Sequence, residues 1–190
     1  GKDGGNLAMA VIREHLATKG LGLHNDLQNE HSIVGNNVGV LLMAEYGSAE
    51  QKKEWLPLML EGKRGFAFGI TEPAHGSDAT HMETNAVRDG DGWKINGAKT
   101  WNTGIHKAQY DMVMARTSGK AGDGDGITAF LTPLDAEGAK IEEFLWTFNM
   151  PTDHGTVSFK DVYVDNSAIF GEEGHGLQIV QHFFNENRIR

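Results

Sequence analysis

Cysteine is absent from the 190 residues, which excludes disulfides, thiolate metal sites and a cysteine nucleophile, and a reducing compartment fits. No apolar run approaches the roughly 20 residues needed to span a bilayer, and the first residues lack the basic and apolar halves of a signal peptide. The chain therefore reads as soluble. Positive charge is in deficit, with 17 basic against 26 acidic residues and a net charge of -9. No broad field is available to gather nucleic acid or an anionic membrane. A polyanionic ligand would have to be met locally, by backbone N–H groups at glycine-rich turns or helix N-termini. Internal repeats are lacking too, and low complexity is confined to two Gly/Asp turns.

What remains is ordinary globular material. The chain is 39% hydrophobic and 23% charged, with four Trp, nine Phe and three Tyr to fill a core, and its length suits one sizeable core with helical attachments. Residues 7–18 can form a helix. Val34, Val38, Leu41 and Leu42 fall at helical spacing over 31–46, with Gly35 and Gly39 four apart where another helix can approach. Gly47 ends that helix. Ser48 with Gln51 three positions on is a capping-box pattern that opens a second helix carrying Trp55, Leu56, Met59 and Leu60, which Pro57 is expected to kink or divide. After Gly62 the pattern changes to short β-prone runs over 65–71, 83–88, 93–97, 99–103, 111–117, 127–132, 139–144 and 156–164. Asp89-Gly90-Asp91-Gly92 reads as a hairpin turn and 118–126 as a longer loop. Short strands at regular spacing predict an antiparallel barrel or sandwich. From Gly176 a helical period returns through Leu177, Val180, Phe183 and Phe184 and continues to Asn187, Arg188, Ile189 and Arg190 without a stop signal, so the chain is expected to be cut from a longer one.

Two segments concentrate chemistry. In the first, Phe66 to Asp78, a strand breaks into Thr71-Glu72-Pro73-Ala74-His75-Gly76-Ser77-Asp78. Pro73 fixes a backbone angle, Gly76 lets a ligand reach the main chain, and Thr71 and Ser77 offer hydroxyls. These residues fit a phosphate- or heterocycle-binding loop and a decorated turn equally well. In the second, Lys99-Thr100-Trp101-Asn102-Thr103, an indole and a hydroxyl lie two apart and so on one side of a strand. A flat surface beside a donor suits a flavin ring, although taken alone a strand Trp is more often core. Metal sites are weaker readings. His75, Asp78 and His81 lack an evident fourth ligand, and Asp123 and Asp125 have Leu134 where a calcium loop needs Glu.

The order of a helix pair, FAFGITEPAHGSD, DGDGWKINGAKTWNT, GITAFL, VSFKDVYV and FGEEGHGLQIV closely resembles the middle region of the acyl-CoA dehydrogenase family, from near Ser32 to the C-terminus. The T-E-P-x-x-G-S-D motif followed about two dozen residues later by W-x-T is the specific part. The resemblance implies an α+β fold: a partial N-terminal helical domain over 1–62, an antiparallel β-barrel middle domain over 63–170, and the first helix of a C-terminal helical domain over 171–190. It implies FAD as cofactor, with Phe68, Ile70, Thr71, Gly76, Ser77, Trp101 and Thr103 as its contacts. Ile70 and Thr71 would lie near the ring, Gly76 and Ser77 near the pyrophosphate, Trp101 on one flavin face and Thr103 near N5. Ser77 would also contact the acyl-CoA.

The reaction implied is removal of an α-proton and a β-hydride from an acyl-CoA thioester to give the trans-2-enoyl product. Electron-transfer flavoprotein is the implied acceptor, a homotetramer or homodimer the implied assembly, and the cytoplasm, or the mitochondrial matrix in a eukaryote, the implied location. The base normally comes from the C-terminal helical domain, so no catalytic residue is assigned, and Glu72 is expected to order its own turn. Flavin oxidases and monooxygenases of the same architecture, or a non-catalytic binding module, are the alternatives. His75 stands where the family has a small residue and Asn102 where it commonly has an aliphatic one.

Overall fold

The computed structural model describes residues 5–20, 38–147 and 150–187. The described residues form helices α1 (Gly5–Thr18), α2 (Val38–Tyr46), α3 (Ala49–Leu60) and α4 (Gly176–Asn187). With them stand strands β1 (Phe66–Gly69), β2 (Asn85–Asp89), β3 (Gly92–Thr103), β4 (Tyr110–Arg116), β5 (Ile127–Pro133), β6 (Ala139–Thr147), β7 (Met150–Asp165) and β8 (Ile169–Phe170). The chain is α+β, with a large sheet between helical ends. Val34 and Gly35, expected in the helix over 31–46, and Arg188 to Arg190, expected in the last, lie outside the described residues.

The start of α3 follows from its sequence. Ser48 Oγ accepts from the Gln51 backbone N–H at 3.1 Å while Gln51 Oε1 accepts from the Ser48 N–H at 2.9 Å, the reciprocal cap that the spacing predicts. The Gln51 amide also donates to the carbonyls of Ser167 and Ile169 at 2.8 and 2.9 Å, so one side chain closes the cap and ties α3 to β8. Pro57 lies in the last turn and does not divide the helix. Ser48→Ala is expected to cost about 1 kcal/mol, a drop of roughly 2–4 °C in melting temperature for a chain of this size. Thermal denaturation checks this, and an unchanged midpoint would leave the junction resting on Gln51 alone.

The strands form one sheet in the order β6-β7-β3-β1-β4-β5-β8, with β2 pairing to both β3 and β4. The two runs expected at 93–97 and 99–103 are a single strand, β3, interrupted by bulges. Pairing is mainly antiparallel, but β1 runs parallel to β4, from Phe66 opposite Tyr110 to Gly69 opposite Val113. This departs from the all-antiparallel expectation for a topological reason. Consecutive strands β3 and β4 run in opposite directions, and a strand inserted between them must be parallel to one. A 3-10 turn at Ala79–His81 also lies within the β region.

Both faces of the central strands are covered, and so β4 and β5 carry apolar residues on both sides, at Met112 to Ala115 and at Ala129 to Leu131, rather than in alternation. Met112, Met114, Ala129 and Leu131 face a cluster completed by Leu42, Met43, Trp55, Met59, Ile179 and Val180 from the helices. Val113, Ala115 and Phe130 face an inner cluster with Trp93, Ile95, Val157 and Phe159. The sheet curls around that inner cluster, because Ala139 and Ile141 of β6 at one end of the strand order and Ile169 of β8 at the other both pack against it.

Candidate functional site

Strand β1 delivers the chain into the first motif at the middle of the sheet. Ile70 is buried and Thr71 half-buried. The loop then closes on itself: the Glu72 N–H donates to the His75 carbonyl at 3.0 Å and the His75 N–H donates back to Glu72 at 3.2 Å. Pro73 and Ala74 form the exposed tip of that turn, and Gly76 and Ser77 are exposed beyond it. A side chain added at Gly76 would meet nothing within 4 Å, so the main chain there is open to a ligand. Asp78 caps the following 3-10 turn through the Thr80 N–H at 3.0 Å.

The second motif lies against the first. The Thr100 N–H donates to the Thr71 carbonyl at 2.8 Å, and Thr103 is paired with Phe68 across β3 and β1. The register between β3 and β7 shifts between Lys99 and Asn102, and Trp101 takes a left-handed conformation with φ 61°, uncommon and strained for a bulky residue. Lys99 and Asn102, three apart, are both buried, whereas Trp101 is 46% exposed. Strict alternation therefore fails across the bulge and resumes after it, with Trp101 exposed, Asn102 buried and Thr103 half-buried. Trp101 is not a core residue. Its ring meets the edge of His154 at a centroid distance of 6.2 Å. One face of Phe68 is stacked on Phe183 of α4 at 4.0 Å and 15°.

Beneath the two motifs are two buried polar pairs that reading the sequence did not assign. Lys99 Nζ lies 2.7 Å from Glu72 Oε1 and donates to the Ile70 carbonyl at 3.2 Å. Glu72 also accepts from the Glu83 and Thr84 N–H groups at 2.6 and 2.9 Å, so it orders the segment leading into β2 rather than only its own turn. Burial pushes the Glu72 carboxyl up, but Lys99 and these donors outweigh it and hold the group below the usual carboxylate range. Burial pushes the Lys99 ammonium down to about 8 against the pull of Glu72 and Asp111. The second pair joins Asn102 Nδ2, the donor, to Asp111 Oδ2, and both residues are fully buried. Burial raises the Asp111 carboxyl to about 7, opposed by Lys99 and by the Asn102 hydrogen bond. Little in the sequence signals either, since Lys99 lies in a polar stretch of β3 and Asp111 near the head of β4.

A family model, the acyl-CoA dehydrogenase middle domain, matches residues 67–162, just over half of the chain and a span that holds both buried pairs, the second motif and all of the first but Phe66. The chain belongs to the acyl-CoA dehydrogenase family. It is 35% identical over 162 residues to acyl-CoA dehydrogenase FadE29 of Mycobacterium tuberculosis, covering 83% of this chain and 40% of that protein. It is 33% identical over 159 residues to the mitochondrial short-chain specific acyl-CoA dehydrogenase of Homo sapiens, covering 82% and 38%. The crystal structure of an acyl-CoA dehydrogenase from Geobacillus kaustophilus matches it with a TM-score of 0.74 at 32% identity, over 95% of this chain and 46% of that one. The chain thus spans about two fifths of the length of the curated relatives.

In this acyl-CoA dehydrogenase segment the imidazoles in and just after the first motif pair with separate carboxylates, His75 with Glu83 at 3.2 Å and His81 with Asp78 at 2.9 Å. Among the described residues no group of three or more His, Asp and Glu is placed to hold a metal. A cleft of about 870 Å³ between α3 and residues 163–173, lined by Glu50, Glu54 and Glu173 among others, contains none of the motif residues. No helix among the described residues is long and apolar enough to cross a membrane.

Proposed function

We propose that this chain forms the flavin-facing middle part of an enzyme that oxidises an acyl-CoA thioester to its trans-2-enoyl product. The observation that supports this most is Trp101. Trp55 and Trp93 are buried and Trp146 is more exposed still, but Trp101 is held 46% exposed on strained, left-handed backbone and fixed beside Thr71 by the Thr100 hydrogen bond. A large aromatic kept at a surface against its backbone preference suits a stacking partner, and the residues around it fit FAD.

Bound FAD supplies a hydride acceptor at its N5 position. Trp101 would cover one face of the ring and exclude water from it. Phe68, Ile70 and Thr71 would border the ring where β1 ends, and the Thr103 hydroxyl would donate a hydrogen bond near N5. Gly76 and Ser77 would offer main-chain N–H groups to the pyrophosphate, with Ser77 also orienting the acyl-CoA. Glu72 is not the base that removes the α-proton, since its carboxylate is committed to Lys99 and two backbone donors. No catalytic base is assigned.

The wider reading follows the family: domains at 1–62, 63–170 and 171–190, electron-transfer flavoprotein as acceptor, a homo-oligomer, and a mitochondrial or cytoplasmic location. The test is spectroscopic. The full-length protein is expected to purify yellow, with the absorption of oxidised flavin, and to bleach anaerobically when given a short-chain acyl-CoA. A colourless protein that gains no flavin on incubation with FAD would favour a binding module. Flavin that bleaches with acyl-CoA and is reoxidised rapidly by oxygen would favour an oxidase.

A further inference from the structure

We propose that Asp111 stands in the folded protein as a neutral carboxylic acid under mildly acidic to neutral conditions and forms with Asn102 a buried acid–amide pair that positions Trp101 and Thr103. The contact of those two residues with flavin rests on the function proposed above. The proton and the pair do not.

The first argument is a count of charges and donors. The buried region holds one ammonium, Lys99, and two carboxyl groups, Glu72 and Asp111. Glu72 takes the ammonium at 2.7 Å and two backbone N–H groups. Asp111 receives only the Asn102 amide, on Oδ2, and its Oδ1 has no partner. Two more buried oxygens without a partner accompany it: Asn102 Oδ1, and Oγ1 of Thr132, which is paired with Asp111 across β4 and β5. The Thr132 hydroxyl can donate one proton, but Asn102 Oδ1 and Asp111 Oδ1 are both acceptors only, so acceptors outnumber donors, and a proton on Asp111 adds a donor. On the β1 side the carboxyl lies directly against the main chain, since a Cβ placed on Gly69 would come within 2.8 Å of both Asp111 oxygens. A sealed carboxylate with a single donor and no cation of its own neutralises rather than remains ionised.

The charged surroundings agree. Strands β1 and β5 bring no titratable side chain to Asp111. Strand β3 brings Lys99, the first motif loop brings Glu72, and β4 itself carries Tyr110 and Arg116. On β7, His154 is paired with Thr103, one position from the pairing of Gly155 with Asn102. The raised Asp111 carboxyl, at about 7, points the same way.

The second argument is mechanical. The bulge that turns Trp101 outward is bounded by Lys99 and Asn102, and each is anchored to a buried carboxyl group, Lys99 to Glu72 and Asn102 to Asp111. Trp101 is thus suspended between two fixed points, and Thr103 follows the second. Loss of the Asp111 proton would put an unpaired charge under that second anchor.

Linkage gives the direction with pH. A carboxyl whose folded value lies near 7 and whose unfolded value lies near 3.9 holds its proton in the folded state while the unfolded state has lost it. Stability therefore falls as pH rises from about 4 to about 7 and is level in this respect outside that window. Asp111→Asn, neutral at every pH, should lack this fall. Its melting temperature relative to the parent should climb by several degrees across the window.

The closing experiment uses the parent protein with Asp111→Asn, Trp101→Phe and His154→Gln. At about pH 6 the infrared difference between parent and Asp111→Asn should contain the carbonyl band of a protonated carboxylic acid. The fluorescence assigned to Trp101, obtained as parent minus Trp101→Phe, should shift near the Asp111 midpoint, keep that shift in His154→Gln and lose it in Asp111→Asn. A missing carboxylic-acid band overturns the proposal. So does a Trp101 shift that survives Asp111→Asn and vanishes in His154→Gln, since the titrating group is then the histidine. If Asp111→Asn fails to fold, Asn102→Leu replaces it in the fluorescence arm, and an unaltered Trp101 signal there overturns the positioning role. Failure of the parent to bind FAD would sink the flavin reading and leave both optical results standing.

Discussion

Lys99→Met is expected to destabilise the protein by about 3–5 kcal/mol, because it leaves the Glu72 carboxylate buried without its cation. For a chain of this size that is a fall of roughly 6–20 °C in melting temperature. The pair is sealed, with side-chain exposures of 0% for Lys99 and 4% for Glu72, so solvent cannot take over the role of the missing ammonium. Paired replacement by Lys99→Met and Glu72→Leu should recover much of the loss, since removing both charges avoids the stranded one. Recovery should be incomplete, because Glu72 also serves the Glu83 and Thr84 N–H groups. A thermal melt of the three proteins decides the matter, and a Lys99→Met variant that melts with the parent would mean that the ion pair is dispensable to the loop.

Trp101→Ala and Thr103→Ala should fail differently in the full-length enzyme. Truncating a fully buried Trp commonly costs about 3–5 kcal/mol, but Trp101 is 46% exposed, so the folding cost should be well below that range. The loss should appear as reduced retention of FAD, through the missing stacking surface. Thr103→Ala deletes one hydroxyl whose hydrogen bond is worth roughly 0.5–1.5 kcal/mol net, so flavin content should stay near normal. Its effect should appear in the reductive half-reaction, where a donor near N5 helps most as electron density arrives. Stopped-flow bleaching of the flavin by a good acyl-CoA substrate reads this directly. Normal bleaching by Thr103→Ala, or normal FAD retention by Trp101→Ala, would show that the strand is turned away from the cofactor.

Much of this arrangement is legible in the sequence wherever the cause is local. The Ser48 and Gln51 cap depends on residues three apart, and the Gly90-Asp91 turn on two residues, with Gly90 at φ 58°. The apolar runs of β4 and β5 show their strands. The parts that are not legible have partners distant in the chain. The parallel pairing of β1 with β4 joins Phe66 to Tyr110, and nothing near either residue announces it. Lys99 and Glu72 are separated by 27 positions, and each taken singly reads as a solvated charge. Asn102 stood out only as a departure from an aliphatic position. Asp111 did not stand out at all, since a carboxylate at the head of a strand suggests a turn rather than an interior. The Trp101 conformation was hidden too, because bulges follow from how two strands mismatch, and periodicity within one strand does not record its partner.

The placement of β1 also bears on how the chain assembles. Its four residues lie between β3 and β4, two strands that come later in the sequence, so both of its edges pair with segments not yet made when it leaves the ribosome. The β2–β3 hairpin closes over a two-residue turn and can form early, whereas β1 must wait for two distant partners, the kind of contact that slows folding. The first motif loop hangs from the end of β1. Maturation of the proposed flavin site is therefore tied to the last joining of the sheet, and on that reading a defect in β4, far from the loop in sequence, would present first as a protein that folds its hairpins and fails to take up FAD.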